Sequence, residues 1–472
     1  MVFTKRQLIA LLSVLVLLAG FTYYNRCPTG DDAWFAEQSY WLQKDGVIRS
    51  EFFRGTLNWE KQLFVSHKLF LAFGAFLMKL FGFGLPTVQF VGFIFFCALI
   101  GELIIYVRQE EKRNSSSNLL LLLILVFSNQ LLIRNSFENR PELMVSALGF
   151  GSFLCINSER KTLLKSGLAG GLAGLALLSH LNGVIYLVAG FATYMYTRRY
   201  KEASLFFLIG SLTASTYFAD ALFAKDGFSS WYYQFRHDPE TQNAFGLYAK
   251  LMVMLTFPKL FVESPEQAGL TILLVFMLWH QRALIKQLPL VLKAYSLLVL
   301  IAFGLLTKNG SGTYMPLFMP FMFAIIYELY KRKPFVNWGL RLVLLVYFII
   351  GIYGSIEIIH RNLTLGNFPE AYKKLRAYIP QNTNGLVPLT FFFNEYEQYA
   401  HLLSHENFTS HSAHSGNPSD EIATWAHQHN VDFILFDYKY RADYFYPEPA
   451  TKNLPYYKLN FFDGRFAVYL KK

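Results

Sequence analysis

The sequence contains a long series of nearly uncharged apolar runs of about 20 residues, the length that crosses a bilayer as a helix. Soluble domains seldom repeat such runs, and about 25% of their residues are normally charged. Only 16% of the 472 residues of this chain are charged. The chain is therefore predicted to be a mainly α, polytopic helical membrane protein.

The net charge of +11 does not indicate nucleic-acid binding, because Lys and Arg lie mostly in short clusters between the apolar runs, for example at 108–113 and 160–165. Such clusters are typical of cytoplasmic loops. Placing every cluster inside gives about 11 spans, with the N-terminus inside and the C-terminus outside. The predicted spans are 6–24, 88–107, 118–134, 140–157, 163–179, 181–197, 203–222, 268–284, 289–306, 312–330 and 337–358.

Two further apolar stretches, 64–83 and 245–261, break this alternation of charge if either spans alone. We interpret both as interfacial or re-entrant helices on the outer face, where aromatic residues are common. The alternative is that both cross the membrane, which raises the number of spans to as many as 13.

This topology divides the chain into two predicted domains. Residues 1–359 form a transmembrane domain with a first outer loop at 25–87 and another outer loop at 226–262. Residues 360–472 are more polar and are predicted to form a small extracytoplasmic α/β domain. Its predicted helices are 369–379 and 421–429, and its predicted strands are 386–393, 431–436 and 465–470. The histidines of this tail, including His405 and His414, follow no standard metal-ligand spacing and are expected at the surface.

Two adjacent carboxylates, Asp31 and Asp32, follow the first apolar run by a few residues. Gly30 supplies a turn before them, and the segment after them is predicted to begin a helix. Acidic residues are favoured at a helix N-terminus, so the pair fits an ordinary cap. The pair also lies just outside the first predicted span, ahead of an amphipathic segment, and this position equally fits a general base.

The segment 30–36 (Gly-Asp-Asp-Ala-Trp-Phe-Ala) resembles the Gly-Asp-Glu-Ala-x-Tyr-Ala signature of GT-C superfamily glycosyltransferases, which act on polyprenyl-phosphate sugars. Protein O-mannosyltransferases and lipid A aminoarabinose transferases are the most similar members. Asp32 replaces the Glu of the signature. Later segments resemble further motifs of this superfamily in the same order: 59–64, where Gln62-Leu63 replaces a Pro pair, 77–82, 140–142, 171–183 and 314–320.

The resemblance implies that the enzyme is an inverting glycosyltransferase, a hexosyl- or pentosyltransferase. It would take a sugar from a polyprenyl-phosphate donor on the outer face of the membrane. Asp31 aligns with the first acid of the signature and is the expected general base, and Asp32 would orient it or help to bind a metal. Cations must stabilise the leaving phosphate, and the candidates in outer segments are Lys61, Arg134, Arg140, Arg236 and Lys308. The candidate substrate-binding residues are Trp59, Glu142, His237 and Tyr314.

No cofactor is firmly implied, although a divalent metal held by Asp32 and His67 is a candidate. The expected partners are the polyprenyl-phosphate sugar, a lipid, glycan or protein acceptor, and the lipid bilayer, with no nucleic acid. The expected location is the bacterial inner membrane, with the active site outside the cytoplasm. A transporter or flippase, or another polyprenyl-linked glycan polymerase or ligase, is the alternative function.

Overall fold

The computed structural model describes residues 4–110, 116–159, 162–239, 242–308, 311–333, 338–394, 396–411, 417–449 and 453–472. Parts of two basic clusters, at 111–113 and 160–161, lie outside the described residues, as does His414. The described chain is mainly helical and ends in a small region of mixed helices and strands. The mainly α class predicted from the sequence is confirmed.

The α-helices come in chain order, and each predicted span overlaps at least one of them. They are α1 (Lys5–Phe21), α2 (Gly30–Asp45), α3 (Lys68–Phe81), α4 (Leu85–Glu110), α5 (Ser116–Phe127), α6 (Gln130–Asn135), α7 (Glu142–Asn157), α8 (Leu163–Ser179), α9 (Val184–Tyr196), α10 (Tyr200–Ser215), α11 (Ala219–Phe223), α12 (Gly227–His237), α13 (Leu247–Thr256), α14 (Pro265–His280), α15 (Leu290–Leu306), α16 (Met319–Arg332), α17 (Trp338–Leu365), α18 (Phe368–Lys373), α19 (His405–His411) and α20 (Pro418–Gln428). Short 3-10 helices are Leu181–Gly183, Thr216–Phe218, Gln242–Ala244, Phe257–Phe261, Arg282–Gln287, Gly312–Leu317, Lys374–Ala377, Leu389–Phe393 and Tyr396–Gln398.

Three described helical segments are long and apolar enough to cross a membrane alone: Leu85–Gln109, Tyr200–Phe223 and Trp338–Ala377. A further pair, Leu247–Phe261 and Pro265–His280, bends by 89° at a short break, as a broken span or re-entrant segment does. Five shorter apolar helices accompany them. The chain is therefore an integral, multi-pass membrane protein, and the number of 11 spans stays a prediction.

The chain separates into two compact units whose segments alternate along the sequence. The first unit consists of the described residues of Met1–Tyr24, Ser66–Phe70 and Gln89–His360. The second consists of Asn25–Val65, Leu71–Val88 and the described residues of Arg361–Lys472. Most of the predicted first outer loop thus belongs to the same compact unit as the C-terminal segment.

In the first unit, glycines let α8 approach α10 closely. A Cβ atom built on Gly170 would lie 2.3 Å from the backbone oxygen of Phe206, and one built on Gly174 would lie 2.7 Å from that of Gly210. Backbone atoms cannot move aside as a flexible side chain can. Small residues at such crossings are the usual means of close helix packing in membranes.

We therefore expect Gly170→Ala to destabilise the first unit by about 1–3 kcal/mol, the usual cost of overpacking. Gly171→Ala is the matched control on the same helix, because its Cβ would make an ordinary 3.8 Å contact with Ile209. Alanine also favours a helix over glycine by about 1 kcal/mol. Thermal unfolding of both variants in detergent measures the difference, and equal melting temperatures would contradict this account of the α8–α10 contact.

The second unit contains a six-stranded mixed sheet. Its strands are β1 (Asn384–Val387), β2 (His401–Ser404), β3 (Phe433–Asp437), β4 (Asn453–Leu454), β5 (Tyr457–Phe462) and β6 (Phe466–Lys471). The order is β2-β1-β3-β6-β5-β4, with β2, β1 and β3 parallel and the remaining neighbours antiparallel. The predicted strand 386–393 ends early, at Val387. Pro388 follows and cannot donate to a strand ladder, and Leu389–Phe393 forms a 3-10 helix instead.

The central strand β3 is buried on both faces, and its side chains alternate between two hydrophobic clusters. Phe433 and Leu435 belong to a cluster that includes residues of α2 and the first loop. Ile434 and Phe436 belong to a cluster that includes residues of α20. The first loop therefore covers one face of the sheet and is part of the core of this unit.

Candidate active site

The acidic pair Asp31 and Asp32 lies where the sequence predicts, at the start of α2. Thr29 is the N-cap, and its side chain accepts a hydrogen bond from the backbone N–H of Asp32. In return, Asp32 Oδ2 accepts from the backbone N–H of Thr29 at 2.6 Å and from its hydroxyl at 3.1 Å. This reciprocal capping box fixes the helix start. Asp32 is fully buried, so its carboxylate positions the turn that carries Asp31.

Asp31 occupies the first turn of α2 and is half-buried. Its negative charge reaches the carboxyl group of Glu406 and contributes to raising the pKa of that group. The two neighbouring acids therefore have different surroundings: Asp32 is engaged with Thr29, and Asp31 lies close to a second carboxyl group. Acids in different environments are a common arrangement in sites for proton transfer.

A third carboxyl group on α2, Glu37, organises the loop that follows the helix. It is fully buried and accepts hydrogen bonds from the Ser50 hydroxyl at 2.6 Å and from the indole N–H of Trp41 at 3.2 Å. The backbone N–H groups of Glu51 and Phe52 also donate to it, at 2.5 and 3.1 Å. Burial raises the pKa of Glu37 to about 7. Glu37 is not among the residues predicted from the sequence, although it is an acid among mostly apolar residues on the same helix as Asp31.

Trp59 and Lys61 lie in this loop. Trp59 is 7% exposed and packs against the rings of Trp34 and Phe53, with centroid distances of 6.0 and 5.7 Å. The structure thus gives Trp59 a packing role in the second unit. Lys61 is exposed, and its backbone N–H donates to the carbonyl of Asn58. Its ammonium group is therefore accessible to solvent or to an anion.

In the first unit, Arg140 and Glu142 form a mostly buried ion pair where α7 begins. The guanidinium donates from Nη2 to Oε1 at 2.8 Å and from Nε to Oε2 at 3.2 Å. The Arg140 side chain is 19% exposed and that of Glu142 is 3% exposed. This two-point contact fixes the position and orientation of the guanidinium beside α7.

Two histidines lie beside this pair. The rings of His67 and His180 stack at 4.5 Å, and Tyr314 meets His180 edge-on at 5.6 Å. Burial lowers the pKa of His67 well below its usual value and that of His180 to about 4, and the charge of Arg140 lowers both further. Both rings are therefore neutral at neutral pH. The backbone N–H of Asn182 donates to Nδ1 of His180, which places the ring proton on Nε2.

The remaining predicted cations of the first unit lie in other surroundings. Lys308 donates to the carbonyl of Phe235 at 2.9 Å and lies over the rings of Phe235 and Phe245, at 3.4 and 4.2 Å. Burial lowers its pKa to about 8. Arg236 stacks on the same Phe245 ring at 4.1 Å. His237 is exposed, with Nδ1 2.9 Å from the carbonyl of Tyr233.

Arg134 is half-exposed and donates to Glu138 at 2.7 Å. The structure therefore groups Arg140 and Glu142 with His67 and Tyr314, and it groups Arg236 with Lys308. Asp31, Asp32, Trp59 and Lys61 belong to the second unit.

The second unit also contains a cluster of polar side chains around Glu406 on α19, which was not predicted from the sequence. This acid follows β2, and Arg441 follows β3. Both are therefore at the carboxyl ends of parallel strands, where α/β sheets commonly bind ligands. That position is the signal that could have selected them. His405, predicted at the surface, is 3% exposed, and that prediction is wrong for this residue because its ring packs against Phe436 and Phe445.

No group of three metal-ligating side chains occurs among the residues that the structure describes. Asp32 Oδ2 is engaged by Thr29, and His67 lies close enough to Arg140 for its charge to oppose a cation. A divalent metal held by Asp32 and His67 stays a prediction.

Comparison with solved structures identifies the fold as that of the GT-C glycosyltransferases. ArnT from Cupriavidus metallidurans, solved with bound undecaprenyl phosphate, has a TM-score of 0.60 and 11% sequence identity. The match covers 99% of this chain and 98% of that protein. The sequence matches no protein-family model and no curated protein.

The oligosaccharyltransferase of Archaeoglobus fulgidus has the same fold. Its structure with an inhibitory peptide and a dolichol-phosphate has a TM-score of 0.50 and 12% identity, over 91% of this chain and 69% of that one. Its structure with Zn and sulfate has a TM-score of 0.52 and 14% identity, over 90% and 68%. These likenesses confirm the fold expected from the motifs.

Proposed function

We propose that this protein is an inverting glycosyltransferase that moves a hexose or pentose from a polyprenyl phosphate to an acceptor hydroxyl. The reaction takes place on the outer face of the membrane, and we propose the bacterial inner membrane as its location. The observation that carries the proposal is the start of α2, where Asp32 caps the helix and Asp31 occupies its first turn, in a chain with the GT-C fold.

In the proposed reaction the acceptor oxygen attacks the anomeric carbon of the donor sugar from the face opposite the phosphate. The new C–O bond forms as the bond to the phosphate oxygen breaks, and this direct displacement inverts the anomeric centre. Asp31 takes the hydroxyl proton as general base. The lipid phosphate leaves as an anion and needs no proton, so its charge must be stabilised by cations and N–H donors.

We propose that Arg140 and its neighbours bind the phosphate of the donor. Glu142 holds the positive charge of Arg140 in place, and neutral His180 carries a ring proton on Nε2. Arg140 therefore supplies a positive charge and His180 an N–H donor, and both suit a phosphate anion. The ArnT neighbour was solved with undecaprenyl phosphate and the oligosaccharyltransferase with a dolichol-phosphate, which supports a lipid-phosphate ligand. Lys61, Arg134, Arg236 and Lys308 remain further candidates for this contact. No step is assigned to a metal.

Release of sugar by the purified protein in lipid nanodiscs tests the proposal. Each of a panel of labelled polyprenyl-phosphate sugars is incubated with the protein, with and without candidate acceptors. We expect one donor to give transfer or slow hydrolysis, and the anomeric configuration of the product to be inverted. No turnover with any donor, together with facilitated movement of the lipid between leaflets, would support the flippase alternative.

Replacement of Arg140 separates its role in donor binding from its role in stability. We expect Arg140→Gln to raise the KM for the donor at least about tenfold, the usual effect of losing a charge-assisted hydrogen bond. We also expect it to lower stability by about 3–5 kcal/mol, because the buried Glu142 loses its partner. The measurements are donor titrations and thermal unfolding.

The double variant Arg140→Gln/Glu142→Gln is the matched control. It removes the uncompensated charge, so most of the stability should return while the KM stays high. Recovery of the KM in the double variant would show that Arg140 acts only as the structural partner of Glu142.

A further inference from the structure

The second unit has a small open cavity beside the first turn of α2. Gly30 forms one wall, and residues 388–390 form another. A Cβ atom built on Gly30 would lie 3.3 Å from Leu389 Cδ1 and 3.9 Å from Glu406 Oε1, so any larger residue here would narrow the cavity. The polar side chains around it come from α19 and from the segment that follows β3.

Glu406 contributes its carboxyl group to the lining of this cavity. Its Oε1 lies 3.5 Å from Nη1 of Arg441, and its side chain is one-third exposed. Its Oε2 is buried, and within the described part of the chain no residue donates a hydrogen bond to it. A buried carboxyl oxygen without a donor is costly, so a turn of the side chain that brings this oxygen to a donor in the cavity would be favourable.

The other polar groups of the cavity are held in place by their neighbours. Arg441 Nε donates to Asp443 at 2.7 Å, which orients the guanidinium toward Glu406. The Tyr446 hydroxyl lies 3.2 Å from Nδ1 of buried His405, and the Tyr440 hydroxyl donates to the carbonyl of Pro28 at 3.2 Å. A fixed carboxyl group, a guanidinium and tyrosine rings therefore line one opening.

This set of groups suits a polyhydroxylated ligand. A sugar hydroxyl both donates and accepts hydrogen bonds, so adjacent hydroxyls can donate to a carboxylate and accept from a guanidinium. Burial raises the pKa of Glu406 to about 7, so near neutral pH its carboxyl group can act as acceptor or donor. The positive charge of Arg441 makes the cavity less suited to a metal cation.

We propose that this cavity binds a sugar ring of the acceptor, so that a carbohydrate, carried by a glycan or a glycolipid, is the acceptor class. The inference rests on the proposed transferase function, because Asp31 lies close enough for its charge to act on Glu406. Glu406 and Arg441 are positioning residues for the acceptor in this proposal, and Asp31 remains the proton acceptor.

Direct binding to the full-length protein in nanodiscs tests the inference without any turnover. The probes are methyl glycosides of common hexoses and pentoses, with a Ser/Thr-containing peptide as the rival acceptor, observed by saturation-transfer NMR. We expect at least one glycoside to bind, and its affinity to fall at least about tenfold in Glu406→Gln and in Arg441→Leu. Glu370→Gln, an exposed acid on α18, is the matched control and should bind as the wild type does.

Both test variants preserve the fold in this account, because Gln has the shape of Glu and Arg441 is 59% exposed. Labelling of the buried Cys27 thiol that is as slow as in the wild type verifies that each variant is folded. Unchanged glycoside binding in both variants, or binding of the peptide alone, would overturn the inference. Glycoside binding that depends on Glu406, without sugar release from any donor, would retain this cavity and reject the transferase proposal.

Discussion

Asp31→Asn is expected to reduce sugar transfer by about 10²–10⁴-fold, the contribution that a positioned general base usually makes. Asparagine has nearly the shape of aspartate but cannot take the acceptor proton at neutral pH. The start of α2 should survive the change, because Thr29 and Asp32 form the capping box without Asp31. The KM for the donor should therefore change little while kcat falls.

The measurement is transfer from the active labelled donor at saturating acceptor, with wild type, Asp31→Asn and Asp32→Asn compared in the same lipid. Asp32→Asn is the informative control, since its amide oxygen can still accept from Thr29. We expect Asp32→Asn to lower stability by about 1 kcal/mol and to retain more activity than Asp31→Asn. Full turnover in Asp31→Asn would remove this residue from the role of base while keeping the class of enzyme.

Glu37→Leu is expected to cost about 4 kcal/mol or more of the stability of the second unit. Leucine has a similar volume but no acceptor. The donors on Trp41, Ser50, Glu51 and Phe52 would then stay buried without partners, at about 1–3 kcal/mol each. The loop after α2 packs on the sheet, so unfolding of this loop should expose the core of the whole unit.

The rate at which Cys27 is labelled during heating measures this opening. Cys27 is buried in the second unit, and burial raises the pKa of its thiol to about 11, so the folded state reacts slowly. Replacing Cys97 and Cys155 by Ala leaves Cys27 as the only thiol in the chain. If Cys27 becomes labelled at the same temperature in Glu37→Leu as in the wild type, the structural role of Glu37 is contradicted.

Glu37→Gln is the matched control for this experiment and gives a pH dependence with a definite sign. Its amide oxygen can accept the same N–H bonds and its NH₂ can donate to Ser50, so the loss should be small. The folded pKa of Glu37 is raised to about 7, so its contribution is fully present below about pH 4.5 and is lost as the pH rises through 7. The wild type should lose stability over this interval relative to Glu37→Gln.

The membrane part of the fold was largely predictable because its signals are local. An apolar run of about 20 residues forms a helix wherever it lies in a bilayer, since its backbone groups must be satisfied within the segment. The helices α4, α8 and α15 accordingly fall on predicted spans at 88–107, 163–179 and 289–306. The capping interpretation of the acidic pair was local as well, and it holds for Asp32.

The sheet of the second unit was less predictable, because a strand is stabilised by partners that are distant in sequence. The strand at 431–436 was found because residues 433–436 form a continuous apolar run, as strands that are buried on both faces do. The strands β2, β4 and β5 were missed. Each is short or half-exposed, and only pairing with a neighbouring strand gives it a defined conformation.

By itself the sequence determined that this chain is a helical membrane protein with an acidic pair at the start of a helix after its first apolar run. Hydrophobic length, charge and capping act over a few residues, so they can be read from the chain directly. Only the tertiary structure decided that the first loop joins the C-terminal segment in one core, and that Glu37 and Glu406 are placed as they are. The core that surrounds α2 includes residues of the C-terminal segment, and Asp31 acts on Glu406 across several hundred positions, so no local pattern encodes these contacts.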